Sequence, residues 1–153
     1  MAAEKSPISK ETFRFFQQLH RNNHKEWMDA NRERYRACVV EPFRKLFQEL
    51  CPAVLELDNE FDVRGRTGAN FSRINRDIRF AKDKTLYKPQ MYIKFERTSP
   101  GDSETGQLYV GISKDSVTTG FRIYSGGKRK DSILATVAQA RVEANPKWVA
   151  QQK

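Results

Sequence analysis

Apolar residues in the first third of the chain recur every three or four positions, which is the spacing of helices with one buried face. Ser9 precedes the first such run, and serine is favoured at helix amino termini because its hydroxyl accepts a hydrogen bond from a free backbone N–H group. The pattern predicts a first helix that begins after Ser9 and is interrupted at Asn22 and Asn23. The apolar positions of this helix are Phe13, Phe15, Phe16 and Leu19.

Two further helices are predicted in the next part of the chain. Asn23 followed by Glu26 is the pattern of a reciprocal capping pair, which predicts the start of a second helix. Pro42 fits the first turn of a third helix, where a proline removes no intrahelical hydrogen bond, and this helix is predicted to end around Cys51 and Pro52. The positions expected to face the core are Trp27, Met28, Tyr35 and Cys38 in the second helix and Phe43, Leu46, Phe47 and Leu50 in the third.

From residue 91 apolar and polar positions alternate, which is the period of a half-buried β-strand. Turn sequences separate three such runs, so we predict an antiparallel meander. Asp131 or Ser132 can then cap a final helix. The positions that define these elements are Met91, Ile93 and Phe95, then Leu108, Val110 and Ile112, then Val117, Thr119, Phe121 and Ile123, and finally Ile133, Leu134, Val137 and Ala138.

Helices grouped before strands favour an α+β fold over a parallel α/β fold. We expect amino-terminal helices packed on the antiparallel meander and followed by a further helix. A chain of 153 residues can bury one hydrophobic core, so residues 1–153 are predicted to form a single domain. This domain would comprise a helical part at 1–56, an arginine-rich loop with the strands at 57–125, and a helical tail at 130–153.

The sequence argues against a membrane protein, a disulfide scaffold and a metal site. It contains no apolar run near the roughly 18 residues that a bilayer span needs, and its first ten residues lack the apolar core of a signal peptide. Cys38 and Cys51 form no C-x-x-C pattern. His20 and His24 are four residues apart, but the asparagine pair between them argues against one helix that presents both to a metal. We therefore expect a cytoplasmic protein without a metal, and the sequence implies no particular cofactor.

The positive charge of the chain is concentrated in one segment. The formal net charge is +9, and residues 1–60 contain as many acidic as basic side chains. The range from Arg64 to Lys88 contains eight basic residues but only two acidic residues, Asp77 and Asp83. Concentrated like charge repels itself unless an anion balances it, so we expect a phosphate-bearing small molecule or a nucleic acid as partner.

Residues 73–88 contain the densest set of functional side chains. Guanidinium groups bind phosphate or carboxylate oxygens bidentately and lysines add adjustable point charges, so a mixed set suits a phosphorylated ligand. If residues 73–79 are extended, odd-numbered side chains face one side and even-numbered side chains the other, and Phe80 is expected to anchor the turn. The predicted ligand-binding residues are Arg73, Arg76, Arg79, Lys82, Lys84 and Lys88, and the catalytic candidates are Asp77, Asp83 and Tyr87.

Other catalytic or phosphate-binding motifs receive little support. The turn SGGKRK before the last helix can hold an anion on its backbone N–H groups, although a solvated turn is the favoured interpretation. It is not a P-loop, because the first glycine of that motif is missing and Arg129 follows Lys128 where a serine or threonine is required. A catalytic triad has little support, because the chain lacks a G-x-S-x-G motif and both of its histidines lie in the predicted amino-terminal helices.

The run RINRDIRFAKDKTLYKP resembles the signature of an uncharacterised bacterial and fungal family, domain of unknown function 2461. Members share Arg-x-x-Arg-Asp-x-Arg-Phe followed closely by Asp-Lys-x-x-Tyr-Lys. The resemblance also covers FRFFQQLHRNNHKEWMDANRERY and LATVAQARVEANPKW, and it implies no particular reaction. Leu86 stands where a proline is common, and members usually continue beyond the length of this chain, so we expect a carboxyl-terminal shortening. The positions that match the signature are Arg73, Arg76, Asp77, Arg79, Phe80, Asp83, Lys84, Tyr87 and Lys88.

The first of three functional hypotheses is a binding module that captures a phosphate of a nucleotide or nucleic acid. Its affinity for a polyanion would fall steeply with salt, because each neutralised phosphate releases counterions. Aromatic residues interleave the charges and can stack on unpaired bases, although a core role is the alternative for each of them. These aromatic residues are Phe71, Phe80, Tyr87 and Tyr92.

The second hypothesis is an enzyme that acts on a phosphorylated small molecule, with Asp77 or Asp83 as base or metal ligand. It predicts one cavity that is lined by both aspartates, Arg79 and Tyr87. The third hypothesis is a structural or protein-interaction domain. In that case the arginines and aspartates of residues 76–83 form an internal salt-bridge network, with Phe80 and Tyr87 in the core.

Overall fold

The computed structural model describes residues 6–97, 104–125 and 133–151. It confirms the predicted α+β order of helices, antiparallel sheet and further helix. The helices are α1 (Lys10–Arg21), α2 (Lys25–Ala30), α3 (Arg32–Tyr35), α4 (Glu41–Leu57), α5 (Ile133–Glu143) and α6 (Pro146–Gln151), and a π-helical stretch (Arg36–Val40) joins α3 to α4. The strands are β1 (Gln90–Glu96), β2 (Glu104–Ser113) and β3 (Val117–Ser125).

The first helix begins where the sequence predicts. Ser9 is its N-cap, and the Ser9 hydroxyl accepts a hydrogen bond from the Glu11 backbone N–H at 3.3 Å. Phe15, Phe16 and Leu19 are fully buried, so the predicted apolar stripe faces the core.

The second helix begins one residue later than predicted, because Asn23 is used elsewhere. His24 is the N-cap, and its Nδ1 accepts a hydrogen bond from the Trp27 backbone N–H. The Asn23 amide pairs instead with the backbone of Tyr87: its Oδ1 accepts the Tyr87 N–H at 2.9 Å and its Nδ2 donates to the Tyr87 carbonyl at 2.8 Å. α1 ends before this linker, so His20 and His24 do not share a helix.

The other predicted helix boundaries also need correction. The second helix is divided at Asn31, whose Nδ2 donates to the Trp27 carbonyl at 2.9 Å and satisfies the end of α2. The third continues through Pro52 to Leu57 instead of ending at Pro52. A proline inside a helix removes one backbone donor, but the added turn buries Val54 in the core and this burial favours continuation.

The predicted antiparallel meander is confirmed, with strand order β1-β2-β3. Met91 lies opposite Ile112 and Ile93 lies opposite Val110 across the first pair of strands. α4 packs on β1, where the rings of Phe47 and Phe95 stack with centroids 5.0 Å apart. The helical layer therefore covers β1 most completely.

The outer strand and the final helices contribute less to the core. Val117 and Phe121 on β3 remain more than half exposed. The predicted caps Asp131 and Ser132, and the turn SGGKRK beyond Ser125, lie outside the described residues. In the part of the chain that the structure describes, none of the helices has the length and apolar character to cross a bilayer.

Candidate anion-binding segment

The segment between α4 and β1 first runs along the outer edge of β1. Phe71 forms an antiparallel bridge with Ile93. The Asp62 N–H donates to the Glu96 carbonyl, and the Lys94 N–H donates to the Asn70 carbonyl, both at 2.7 Å. These bonds fix the segment against the sheet before its arginine-rich part begins.

Asp62 pairs with the first two arginines of the basic segment and balances one of their two positive charges. Its carboxylate accepts hydrogen bonds from the Arg64 backbone N–H, Nε and Nη2 at 2.8–2.9 Å and from Arg66 Nη2 at 3.0 Å. The Asp62 residue is 8% exposed, and the bonds from Arg64 hold the pKa of this carboxyl well below its usual range. The positive surplus is therefore smaller than the sequence predicted, because Asp62 lies just outside the window from Arg64 to Lys88.

Asn70 completes this arrangement from inside the protein. Its side chain is buried, its Oδ1 accepts the Arg66 N–H at 3.0 Å, and its Nδ2 donates to the carbonyls of Asp62 and Lys94. A buried amide with its bonding groups satisfied stabilises one loop conformation. We call Asp62, Arg64, Arg66 and Asn70 the loop-base network.

Residues 73–88 form a short hairpin that continues from this network, which we call the signature hairpin. The Arg76 N–H donates to the Leu86 carbonyl and the Lys88 N–H donates to the Ile74 carbonyl, both at 2.8 Å. Side chains alternate between exposed odd positions and half-buried even positions from 73 to 79, which confirms the predicted two faces. Residues 77–85 form the hairpin tip.

Both aspartates of the tip are engaged by arginines. Asp77 accepts hydrogen bonds from Arg79 Nε at 3.0 Å and Nη2 at 2.7 Å, and these bonds lower the pKa of the Asp77 carboxyl. Asp83 accepts a hydrogen bond from the Thr85 N–H at 2.9 Å, and its Oδ2 lies 3.0 Å from Arg76 Nη1. The hydrogen bonds from Thr85 lower the pKa of the Asp83 carboxyl, and the charge of Arg76 lowers it to a lesser extent. A carboxylate with a lowered pKa is a weaker general base.

Four of the six predicted ligand-binding cations lie in no ion pair within the described ranges. Lys84 Nζ donates to the Ile78 carbonyl at 2.8 Å, which leaves its charge unbalanced by a carboxylate. Arg76 is paired, yet its buried Nε has no acceptor in the described structure. The four unpaired cations are Arg73, Lys82, Lys84 and Lys88.

The two aromatic residues of the signature hairpin have opposite environments. Tyr87 is buried, as the structural hypothesis predicted, and Asn23 binds its backbone. Phe80 is 95% exposed, so the prediction that it anchors the turn or enters the core is wrong. Phe80 belongs to the hairpin tip, beyond the hydrogen-bonded part of the hairpin, and its ring does not enter the core.

A cavity of about 280 Å³ lies beside the base of the signature hairpin. The hairpin contributes only Arg73, Ile74 and Asn75 to its lining. The two aspartates, the arginine and the tyrosine that the enzyme hypothesis placed around one cavity therefore do not line it. Its other walls include Tyr35 and Arg44 from the helical layer. The sequence predicted Tyr35 only as a core position and did not single out Arg44, and the packing of helices against the loop brings both to this site.

Within the described parts of the chain, no group of three or more histidine, cysteine, aspartate or glutamate side chains is arranged to hold a metal ion.

A family described as "Conserved hypothetical protein (DUF2461)" matches residues 11–148 of the chain. Searches of curated proteins and of solved structures find no significant match. The match therefore covers the helical part, the signature hairpin, the sheet and most of the carboxyl-terminal helices.

Proposed function

The chain belongs to the DUF2461 family of conserved hypothetical proteins, and we propose that its signature hairpin binds the phosphates of single-stranded nucleic acid. The proposal rests on Phe80, which is 95% exposed at a tip that also carries Lys82 and Lys84. A single exposed apolar side chain is ordinary on a protein surface, so Phe80 supports the proposal through its combination with the cations beside it. Aromatic rings among cations are the usual means of binding unpaired bases and their phosphates together.

The cations of the signature hairpin supply the electrostatic part of this function. Lys82 and Lys84 are exposed and have no carboxylate partner within the described residues, so their charges are available to phosphate oxygens. Arg73 lies on the exposed face of the hairpin and adds a guanidinium group with bidentate geometry. A nucleic-acid strand can place successive phosphates along these groups.

The state of the aspartates favours binding over acid–base catalysis. Asp77 is held by Arg79, and Asp83 is held by Thr85 and Arg76, so both carboxylates already serve the conformation of the tip. The enzyme hypothesis with Asp77, Asp83 or Tyr87 as catalytic group stays a prediction. So does the cytoplasmic location, which the free thiols of Cys38 and Cys51 favour.

The electrostatic part is tested by fluorescence anisotropy with a short labelled oligothymidylate over a range of salt concentrations. Each phosphate neutralised on a single strand contributes about 0.7 to the slope of log affinity against log salt. The double variant Lys82→Ala/Lys84→Ala should lower the magnitude of this slope by about 1.4. Lys10→Ala/Lys45→Ala makes the same change in net charge on α1 and α4 and should leave the slope close to that of the wild type. Equal slopes for the two double variants would refute the assignment to the tip.

The stacking part is tested by two substitutions of Phe80 in the same assay. Phe80→Leu keeps an apolar side chain but removes the ring, and it should weaken binding by about 1–3 kcal/mol. Phe80→Tyr keeps the ring and should bind like the wild type. Unchanged affinity of the leucine variant would show that the ring does not stack on a base.

A further inference from the structure

The cavity beside the signature hairpin is distinct from the hairpin tip. It lies between the junction of α3 and α4 on one side and residues 67–75 with β1 on the other. Its volume of about 280 Å³ is close to the lower end of the range for small-molecule sites. The cavity therefore suits a compact ligand rather than a polymer.

Apolar side chains form the inner walls of the cavity. Phe43, Phe71 and Met91 line it, and each of them is buried in the core. Tyr35 also lines the cavity, and its hydroxyl donates to the Met91 sulfur at 3.3 Å. A thioether is a weak acceptor, so this hydroxyl can turn to a stronger acceptor at little cost. Burial raises the pKa of Tyr35 to about 12, which keeps the hydroxyl protonated as a donor.

Two guanidinium groups add positive charge to these apolar walls. Arg73 lines the cavity, is exposed, and lies in no ion pair within the described ranges. Arg44 lines it from the first turns of α4, and its only carboxylate partner there is Glu41, with Nη1 and Oε1 4.0 Å apart. Such a distance is at the outer limit of an ion pair, and exposed pairs of this kind contribute little. Both guanidinium groups can therefore engage an anion.

The backbone around the cavity departs from regular structure on both sides. The π-helical stretch Arg36–Val40 contributes Val40 to the lining, and short π-helical insertions are frequent at functional sites. On the opposite side, the Arg73 guanidinium packs over Gly68, whose φ of +93° is unfavourable for other residues. The π-helical stretch therefore contributes directly to the lining, and the turn at Gly68 leaves room for the guanidinium of the lining residue Arg73.

We propose that this cavity binds a small carboxylic acid with an apolar body. The carboxylate pairs with Arg73 and Arg44, the Tyr35 hydroxyl is available as a further donor, and the body lies against Phe43 and Met91. A planar guanidinium matches a carboxylate bidentately, while the apolar walls contribute in proportion to the ligand surface that they remove from water. This site shares Arg73 with the proposed nucleic-acid surface, but its other residues and its ligand class are different.

Isothermal titration calorimetry with octanoate tests the proposal directly. Octanoate should bind saturably at one site, and octanol and octylamine should bind at least tenfold more weakly, because they lack the negative charge. Arg73→Gln and Arg44→Gln should each weaken octanoate binding by about tenfold or more, the usual effect of losing a hydrogen bond to a charged group. Arg21→Gln removes an exposed guanidinium at the end of α1, outside the cavity, and it should bind octanoate like the wild type.

A blocking variant separates the cavity from the surrounding surface. Thr67 is exposed at the cavity lining, so Thr67→Trp should fill the cavity without disturbing the core, and circular dichroism should confirm an intact fold. Octanoate binding should then be lost while oligothymidylate binding at the tip persists. Equal binding of octylamine and octanoate, or inorganic phosphate binding as tightly as octanoate, would overturn the proposal. Unchanged octanoate affinity in the folded Thr67→Trp variant would do the same.

Discussion

The loop-base network and the hairpin tip contain the same local motif in opposite environments. In each, an aspartate accepts three bonds from the arginine two residues later, through the backbone N–H, Nε and Nη2. The Asp62 side chain is 10% exposed and is supported by Asn70, whereas the Asp77 side chain is 61% exposed. The same Asp-x-Arg motif therefore holds a loop on the sheet in one place and shapes a solvent-exposed turn in the other.

This difference shows that a motif does not reveal whether its charges are structural. Both copies of the motif form the same local bonds between residues that are two positions apart. The value of those bonds depends on burial, since water competes strongly for exposed charges and weakly for buried ones. The comparison predicts large effects of substitution at the loop base and small effects at the tip.

Asn70→Ala should have the largest effect on stability. It removes an amide that is almost fully buried and leaves the backbone groups of Arg66, Asp62 and Lys94 without that partner. We expect a loss of about 3 kcal/mol in the free energy of unfolding, measured by urea denaturation. Asn75→Ala, at an exposed position of the signature hairpin, is the matched control and should change stability by less than about 0.5 kcal/mol.

Asp62→Asn should follow, with a loss of about 2 kcal/mol at neutral pH, because two charge-assisted interactions become weaker. The pKa of Asp62 is lower in the folded protein than its unfolded value near 3.9, so the native state binds fewer protons in acid. Its contribution is present above that value and is lost as pH falls through the folded pKa.

The pH profile then distinguishes the two copies of the motif. Urea denaturation below about pH 4 should show a shallower loss of stability for Asp62→Asn than for the wild type. Asp77→Asn, the matched change at the tip, should keep nearly the wild-type acid profile, because solvent screens that pair. Equal effects of the two variants would contradict the comparison.

Asn23→Ala tests the connection between the helical layer and the signature hairpin. It removes both hydrogen bonds to the Tyr87 backbone, which are only partly buried, so we expect a loss of about 1–2 kcal/mol. Thermal and urea unfolding measure this loss. Asn59→Ala, an exposed asparagine in the turn after α4, should unfold like the wild type, and a similar destabilisation of both variants would remove the special role of Asn23.

Phe80→Ala should have the smallest effect on stability, within about 0.5 kcal/mol, because the ring is 95% exposed. The same substitution should weaken oligothymidylate binding. A marked loss of stability would show that Phe80 packs against the protein and would remove the contrast between tip and base.

Local patterns predicted most of the secondary structure and part of the site. Ser9 and the alternation in β1 act through neighbouring residues, so the sequence alone shows them. Asn23 was misassigned because an asparagine before a helix has the pattern of a cap, whereas its actual partner, Tyr87, is 64 residues away.

The remaining features depend on contacts that one-dimensional patterns do not contain. A wider window would have associated Asp62 with Arg64 and Arg66, because they are neighbours in sequence. The cavity residues Tyr35 and Arg44 come together with Arg73 only through packing. The exposure of Phe80 depends on where the hairpin tip lies relative to the core, and the local sequence pattern does not show this.

The π-helical stretch Arg36–Val40 also sets the angular phase of α4 relative to α3. Each residue of an α-helix turns the chain by about 100°, so a single deletion within 36–40 would restore regular backbone bonding while rotating α4 by roughly that amount. Phe43 and Phe47 would then point away from the core that they now fill. The insertion therefore acts as a phase shift that lets two successive helical segments present their aromatic rings to one sheet.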